Sequence, residues 1–112
     1  MPVIDKTTFE ELKQMAGDDF INELIDTFLE DAPRMIAEMK SAHASNNAET
    51  FRRAAHSMKS NAATFGASQL AMLAKELEML GKENKLHETG DKLKALDEAY
   101  ESVRNELKDL KS

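Results

Sequence analysis

The chain has no cysteine, no tryptophan, two prolines and four glycines in 112 residues. Each shortage excludes something. Without cysteine there is neither a disulfide framework nor a cysteine-based zinc site. No apolar run approaches the roughly 20 residues of a membrane span. The N-terminus, Met1-Pro2-Val3-Ile4-Asp5, lacks the basic segment and apolar stretch of a secretory signal. Valine and isoleucine, the residues that favour strands, are few. No G-x-x-x-x-G-K or G-x-G-x-x-G loop occurs, so the sequence shows no means of holding a nucleotide. Glu-x-x-His is absent as well, which argues against a di-metal carboxylate bundle. Positive charge is in deficit: 15 basic residues face 21 acidic ones, for a formal net charge of −6. Such a chain repels a phosphate backbone, which argues against nucleic-acid binding. These exclusions leave a cytoplasmic protein with no nucleic-acid or membrane partner and no cofactor of its own.

Helix formers fill the space left: Ala, Leu, Lys, Glu and Met dominate. The length suits one domain, residues 1–112, and 41% hydrophobic residues supply one core. Thr7 and Glu10 read as a capping box opening a short helix that stops at Gly17. From Asp18 to about Ser45 the apolar residues Ile21, Leu24, Phe28, Ala32, Met35, Met39 and Ala42 step by threes and fours, a long helix. Pro33 in its middle predicts a kink or a break. Asn46-Asn47 is a turn and cap signal, followed by a helix from about Ala48 to Phe65 that ends at Gly66. Ser68 reads as the cap of a fourth helix carrying Leu70, Leu73, Leu77 and Leu80 and ending near Gly81. The last helix is expected from about Leu86 to Leu110, weakened near its start by Gly90. The fold class is therefore all-α: an antiparallel up-and-down four-helix bundle with a short additional N-terminal helix.

The chemistry concentrates on the helix after Asn47. On a wheel of about 100° per residue, Phe51, Ala55, Met58, Ala62 and Phe65 cluster on a core face. His56 points about 140° away from that face, toward solvent. Arg52, Lys59, Ser60 and Ala63 lie beside it at helical spacings, with Arg53 close by. An exposed neutral imidazole is a competent nucleophile near neutral pH. Lys59 can meet a phosphoryl group on it, and the arginines add screened attraction. Ser60 and Ala63 are small enough to let another protein approach. By itself the spacing permits a phosphohistidine without requiring one, since a lone surface histidine beside basic residues is usually just solvated. His43, near a helix C-terminus, reads as a surface residue, and His87 has no partner pattern. The methionines suit core filling.

The string Ala55-His56-Ser57-Met58-Lys59-Ser60, followed by Asn61-Ala62-Ala63-Thr64-Phe65-Gly66-Ala67, resembles the signature of histidine-containing phosphotransfer (HPt) domains. There a phosphorylated histidine is followed by a polar residue, an aliphatic one, a lysine and a small residue, and a Gly-Ala pair ends the helix. The likeness extends to Phe20–Pro33, to Leu70, Leu73, Leu77 and Glu78, and to Leu86, Leu96, Tyr100 and Val103. Ser60 stands where many members have glycine, and Met58 where leucine is usual; both keep size and character. The resemblance implies that His56 is the phosphoacceptor, Lys59 its phosphoryl contact, Ser60 the small docking residue and Gly66 the helix stop. It implies receiver domains of response regulators or of a hybrid histidine kinase as partners, with the divalent cation residing in the receiver. Docking is expected over Arg52, Arg53, Ser60 and Ala63, with apolar surface from Phe20 or Leu24, on a monomeric carrier. Two other readings compete. A helical assembly module would use the seven-residue stripes to oligomerise, but has no need of the His56 group. A kinase dimerisation domain would carry an acidic residue after its histidine and a proline soon after; here Ser57 follows, and no proline comes after Pro33.

Overall fold

The structure, a computed structural model, describes residues 3–111. They form helices α1 (Lys6–Ala16), α2 (Asp18–Ala44), α3 (Ala48–Thr64) and α4 (Ser68–Lys82), a 3-10 turn (Leu86–Glu88) and α5 (Lys92–Leu110). No strand occurs among the described residues. Short connections make α2 to α5 run up and down. Each packs on the next, and α5 closes the ring against α2. The bundle is elongated, 42 × 24 × 19 Å, and α1 packs against α2.

The stripes bury as their spacing demands. Ile21, Ile25, Phe28, Ala32, Ile36, Met39 and Ala42 of α2 meet Phe51, Ala54, Ala55, Met58 and Ala62 of α3. Leu70, Ala74 and Leu77 of α4 and Leu96, Tyr100, Val103 and Leu107 of α5 complete the core. Phe28 is its aromatic centre, 5.3 Å from Phe65 and 6.0 Å edge-on to Tyr100. Leu24, Met35, Leu73 and Leu80, expected on the stripes, sit at its margin, half-buried.

Several local expectations need correction, among them Ser68, which is the first residue of α4 with Ala67 at its cap position. Helix α1 starts at Lys6, with Asp5 rather than Thr7 at the cap position; the Thr8 hydroxyl donates to the Asp5 carboxylate at 2.6 Å. Helix α2 does not break at Pro33, whose ring lies on the exposed side while the buried stripe runs unbroken past it. The last helix does not begin at Leu86. Thr89 folds back on the Leu86 carbonyl through both its amide and its hydroxyl, and Gly90 at φ +52° turns the chain into α5. Gly90 thus makes a turn instead of weakening a helix. His43 ties this turn down: its Nε2 lies 3.1 Å from the Leu86 carbonyl and 2.9 Å from the Thr89 hydroxyl, and its ring faces Phe51. It is half-buried and structural, not simply solvated.

Two glycines set the α3–α4 hairpin that carries the site. Gly66 adopts φ +79°, and a Cβ there would stand 2.9 Å from that of Thr8. Its carbonyl accepts from the Asp5 amide, which holds the N-terminal segment on this turn. At the other end Gly81 is buried against the backbone of Arg52, so close that a Cβ would meet the Arg52 Cα at 3.1 Å.

Candidate functional site

Helix α3 owes its start to Asn47, whose side chain accepts from the Thr50 amide at 3.2 Å. Its core face is fixed by Phe51, Ala55 and Met58, all fully buried. This rotation leaves the His56 side chain 56% exposed, as the wheel requires. Ser60 and Ala63 share its exposed face.

The ring does not stand alone. His56 Nδ1 lies 2.7 Å from one carboxylate oxygen of Glu78 on α4, and Lys59 Nζ lies 2.6 Å from the other. Glu78 is the most enclosed of the three, its side chain only 15% exposed. Burial pushes its carboxyl upward, but the hydrogen bonds and charges of Lys59 and His56 outweigh that and hold it below the usual carboxylate range. An ionised carboxylate can only accept, so the 2.7 Å contact puts the imidazole proton on Nδ1. In the neutral ring the lone pair then sits on Nε2, which no hydrogen bond engages among the described residues. The arrangement is a nucleophilic nitrogen aimed outward, a carboxylate behind it fixing ring and tautomer, and an ammonium one turn away.

The arginines are less available than the sequence implied. Glu49 holds Arg52 through two hydrogen bonds, at 2.6 and 3.2 Å, and Arg53 at 3.1 Å. Arg52 is the larger cause of the lowered Glu49 carboxyl pKa, and Glu49 in turn raises that of Arg52.

Phe20 and Leu24 are not brought to His56. Phe28 of α2 is level with Phe65, nine residues beyond His56 on α3. At 1.5 Å per residue along each helix, Phe20 lies about 25 Å and Leu24 about 20 Å from the histidine's level. The α2 surface that does flank α3 near His56 is an open groove of about 550 Å³, lined by Arg34, Met35, Arg53, Ala54 and Ser57 among others.

Glu78 is the site residue that sequence reasoning missed. A signal existed: His56 and Glu78 stand at nearly equal distances on either side of the Gly66 turn, which makes them level in an antiparallel hairpin. No group of three or more acidic or histidine residues fit to hold a metal occurs among the described residues. No described helix is long and apolar enough to cross a membrane.

Comparison with known proteins agrees with this geometry. The Hpt domain family model matches residues 23–106. The chain belongs to the Hpt domain family. This Hpt domain is 31% identical over 88 residues to the phosphorelay protein LuxU of Vibrio harveyi, an alignment covering 79% of this chain and 77% of that one. Its fold superposes on the crystal structure of histidine-containing phosphotransfer protein B (HptB) from Pseudomonas aeruginosa PAO1 with a TM-score of 0.91. That match has 25% identity and covers 98% of this chain and 95% of the other. The Hpt domain is a histidine phosphotransfer carrier of two-component signalling.

Proposed function

We propose that His56 is the phosphoacceptor and that transfer runs through its Nε2. The observation that carries this reading is the Glu78 bridge, which leaves Nε2 as the outward nucleophile. A receiver domain brings a phosphoaspartate over α3. Nε2 attacks phosphorus in line, the N–P bond forms as the acyl phosphate P–O bond breaks, and the aspartate carboxylate leaves. The proton on Nδ1 stays in its hydrogen bond to Glu78, which faces the positive charge that develops on the ring. Lys59 lies within reach of the phosphoryl oxygens and moves from Glu78 toward them as charge arrives. Return of the group to a second receiver reverses these steps.

On this reading the chain is a carrier with no nucleotide or kinase site of its own, acting in the cytoplasm as a monomer. The divalent cation and most of the charge stabilisation belong to the receiver. Ser60 and Ala63 form the low platform on which the receiver rests, with Arg52 and Arg53 at its edge and the Met35–Ala54 groove beside it. Phe20 and Leu24 lie too far along α2 to take part in the contact around His56. The test is incubation with phosphorylated receiver domains. Acid-labile, base-stable label should appear on the wild-type chain and be absent from His56→Gln.

A further inference from the structure

Among the described residues, the unpaired positive charge next to His56 is on α4 and not on α3. Arg52 and Arg53 share the Glu49 carboxylate, and Lys59 is held by Glu78. The side chains of Lys75 and Lys82 of α4, by contrast, are exposed and make no ion pair or hydrogen bond among the described residues. They stand three residues before Glu78 and four after it, so the three side chains share one side of α4. Glu78 reaches from that side to His56 and Lys59, so that side borders the nucleophile.

The hairpin fixes which end each lysine takes. Gly81 lies on the backbone of Arg52, which places Lys82 beside the Arg52 end of the site. Running antiparallel, α4 carries Lys75 toward the Ser60–Ala63 end. Along the helix axis the two are about 10.5 Å apart, with His56 level between them. The acidic residues of α4 do not cancel them: Glu78 faces His56 and Lys59, and Glu76 on the outer side pairs with Lys92.

We infer that Lys75 and Lys82 form a cationic ridge that receives the acidic docking face of the phosphate-donating partner. The inference rests on the phosphorelay reading, and it names the partner's chemistry: clustered carboxylates around a phosphorylated carboxylate. Such a face meets a carrier whose formal net charge is −6, so the global field opposes approach. Two free ammonium groups bracketing the nucleophile reverse that field locally and orient the encounter. Neither side chain contacts His56 or Lys59 among the described residues, so their effect is assigned to association and not to the chemical step.

The experiment uses the full chain and a phosphorylated receiver domain. Lys75→Gln, Lys82→Gln and the double variant are compared with a control, Lys94→Gln with Lys108→Gln, which removes the same charge from exposed positions on α5. The second-order transfer rate of the Lys75/Lys82 double variant should fall about fivefold at low ionic strength. That deficit should vanish near about 1 M salt, where the screening length is about 3 Å. First-order transfer at saturating receiver should be unchanged, and the control should lose less than about twofold. Equal losses in both double variants, no loss in either, or a deficit that persists at saturation would each overturn the ridge. A wild-type chain that takes no label at all would instead refute the phosphorelay reading on which the ridge rests.

Discussion

Removing the Glu78 carboxylate tests the site most directly. Glu78→Ala deletes two charge-assisted contacts, the 2.7 Å bond to His56 Nδ1 and the 2.6 Å bond to Lys59 Nζ. Bonds of this kind contribute about 1.5–3 kcal/mol each. The His56 contact also fixes which nitrogen holds the proton, and with it lost the ring samples both tautomers and more than one orientation. If one such contact is lost from the transition state, transfer slows by about one to two orders of magnitude. Glu78→Gln separates the two roles. Its amide oxygen still accepts from Nδ1, while the neutral side chain releases Lys59 toward the phosphoryl group, so the loss should stay below about tenfold. The assay is rapid-quench transfer from a phosphorylated receiver at saturating concentration, which isolates the chemical step from docking. Nitrogen-15 NMR of the imidazole gives an independent reading: the neutral wild-type ring should show Nε2 unprotonated, and Glu78→Ala a mixture of tautomers. A Glu78→Ala protein that transfers at the wild-type rate, or a wild-type ring with its proton on Nε2, would refute the argument.

Four further outcomes follow from the same structure. Lys59→Ala should slow transfer by about one to two orders of magnitude in the same time course, because the developing phosphoryl charge loses its nearest cation, and Arg52→Ala and Arg53→Ala should cost less because Glu49 already engages both side chains. Ser60→Phe should keep wild-type helix content by circular dichroism yet block transfer, since the side chain faces solvent on the platform around His56; normal labelling of a folded variant would remove Ser60 from the docking surface. Acid should weaken the fold partly through Glu78. Its folded-state pKa is lowered, so its contribution is full above the ordinary carboxyl value of 4.5 and disappears as pH falls through the folded value; denaturant titrations at several pH values should show a shallower acid limb in Glu78→Gln. Tyr100→Phe should be neutral or stabilising by up to about 1 kcal/mol in the same titrations, because the buried hydroxyl has no hydrogen-bond partner among the described residues; a loss of that size would show that the hydroxyl has found one.

The sequence alone determined the helical class, the order of the helices and the outward turn of His56. Those features depend on near-neighbour properties: the 3.6-residue period sorts Phe51, Ala55 and Met58 from His56 and Lys59 whatever packs against them. The same local logic placed the Asn47 cap and the Gly66 stop. It failed where a residue's role depends on a distant one. Gly90 read as a weak point within a helix because the His43 and Thr89 contacts that fold the Leu86 turn come together only in the bundle. The pairing of Glu49 with Arg52 and Arg53 is the exception, since its three- and four-residue spacing on one helix is local and was legible in the sequence. Phe20 and Leu24 read as neighbours of His56 because periodicity gives the face of a residue but not its height along the bundle. Height is set by how α2 and α3 slide past one another, which the Phe28–Phe65 contact records. Glu78 is the sharpest case. No spacing on α4 distinguishes it from other surface glutamates. It becomes part of the site only because Gly66 turns the chain and Gly81 lets α4 close on α3, bringing a carboxylate onto the histidine from 22 residues away.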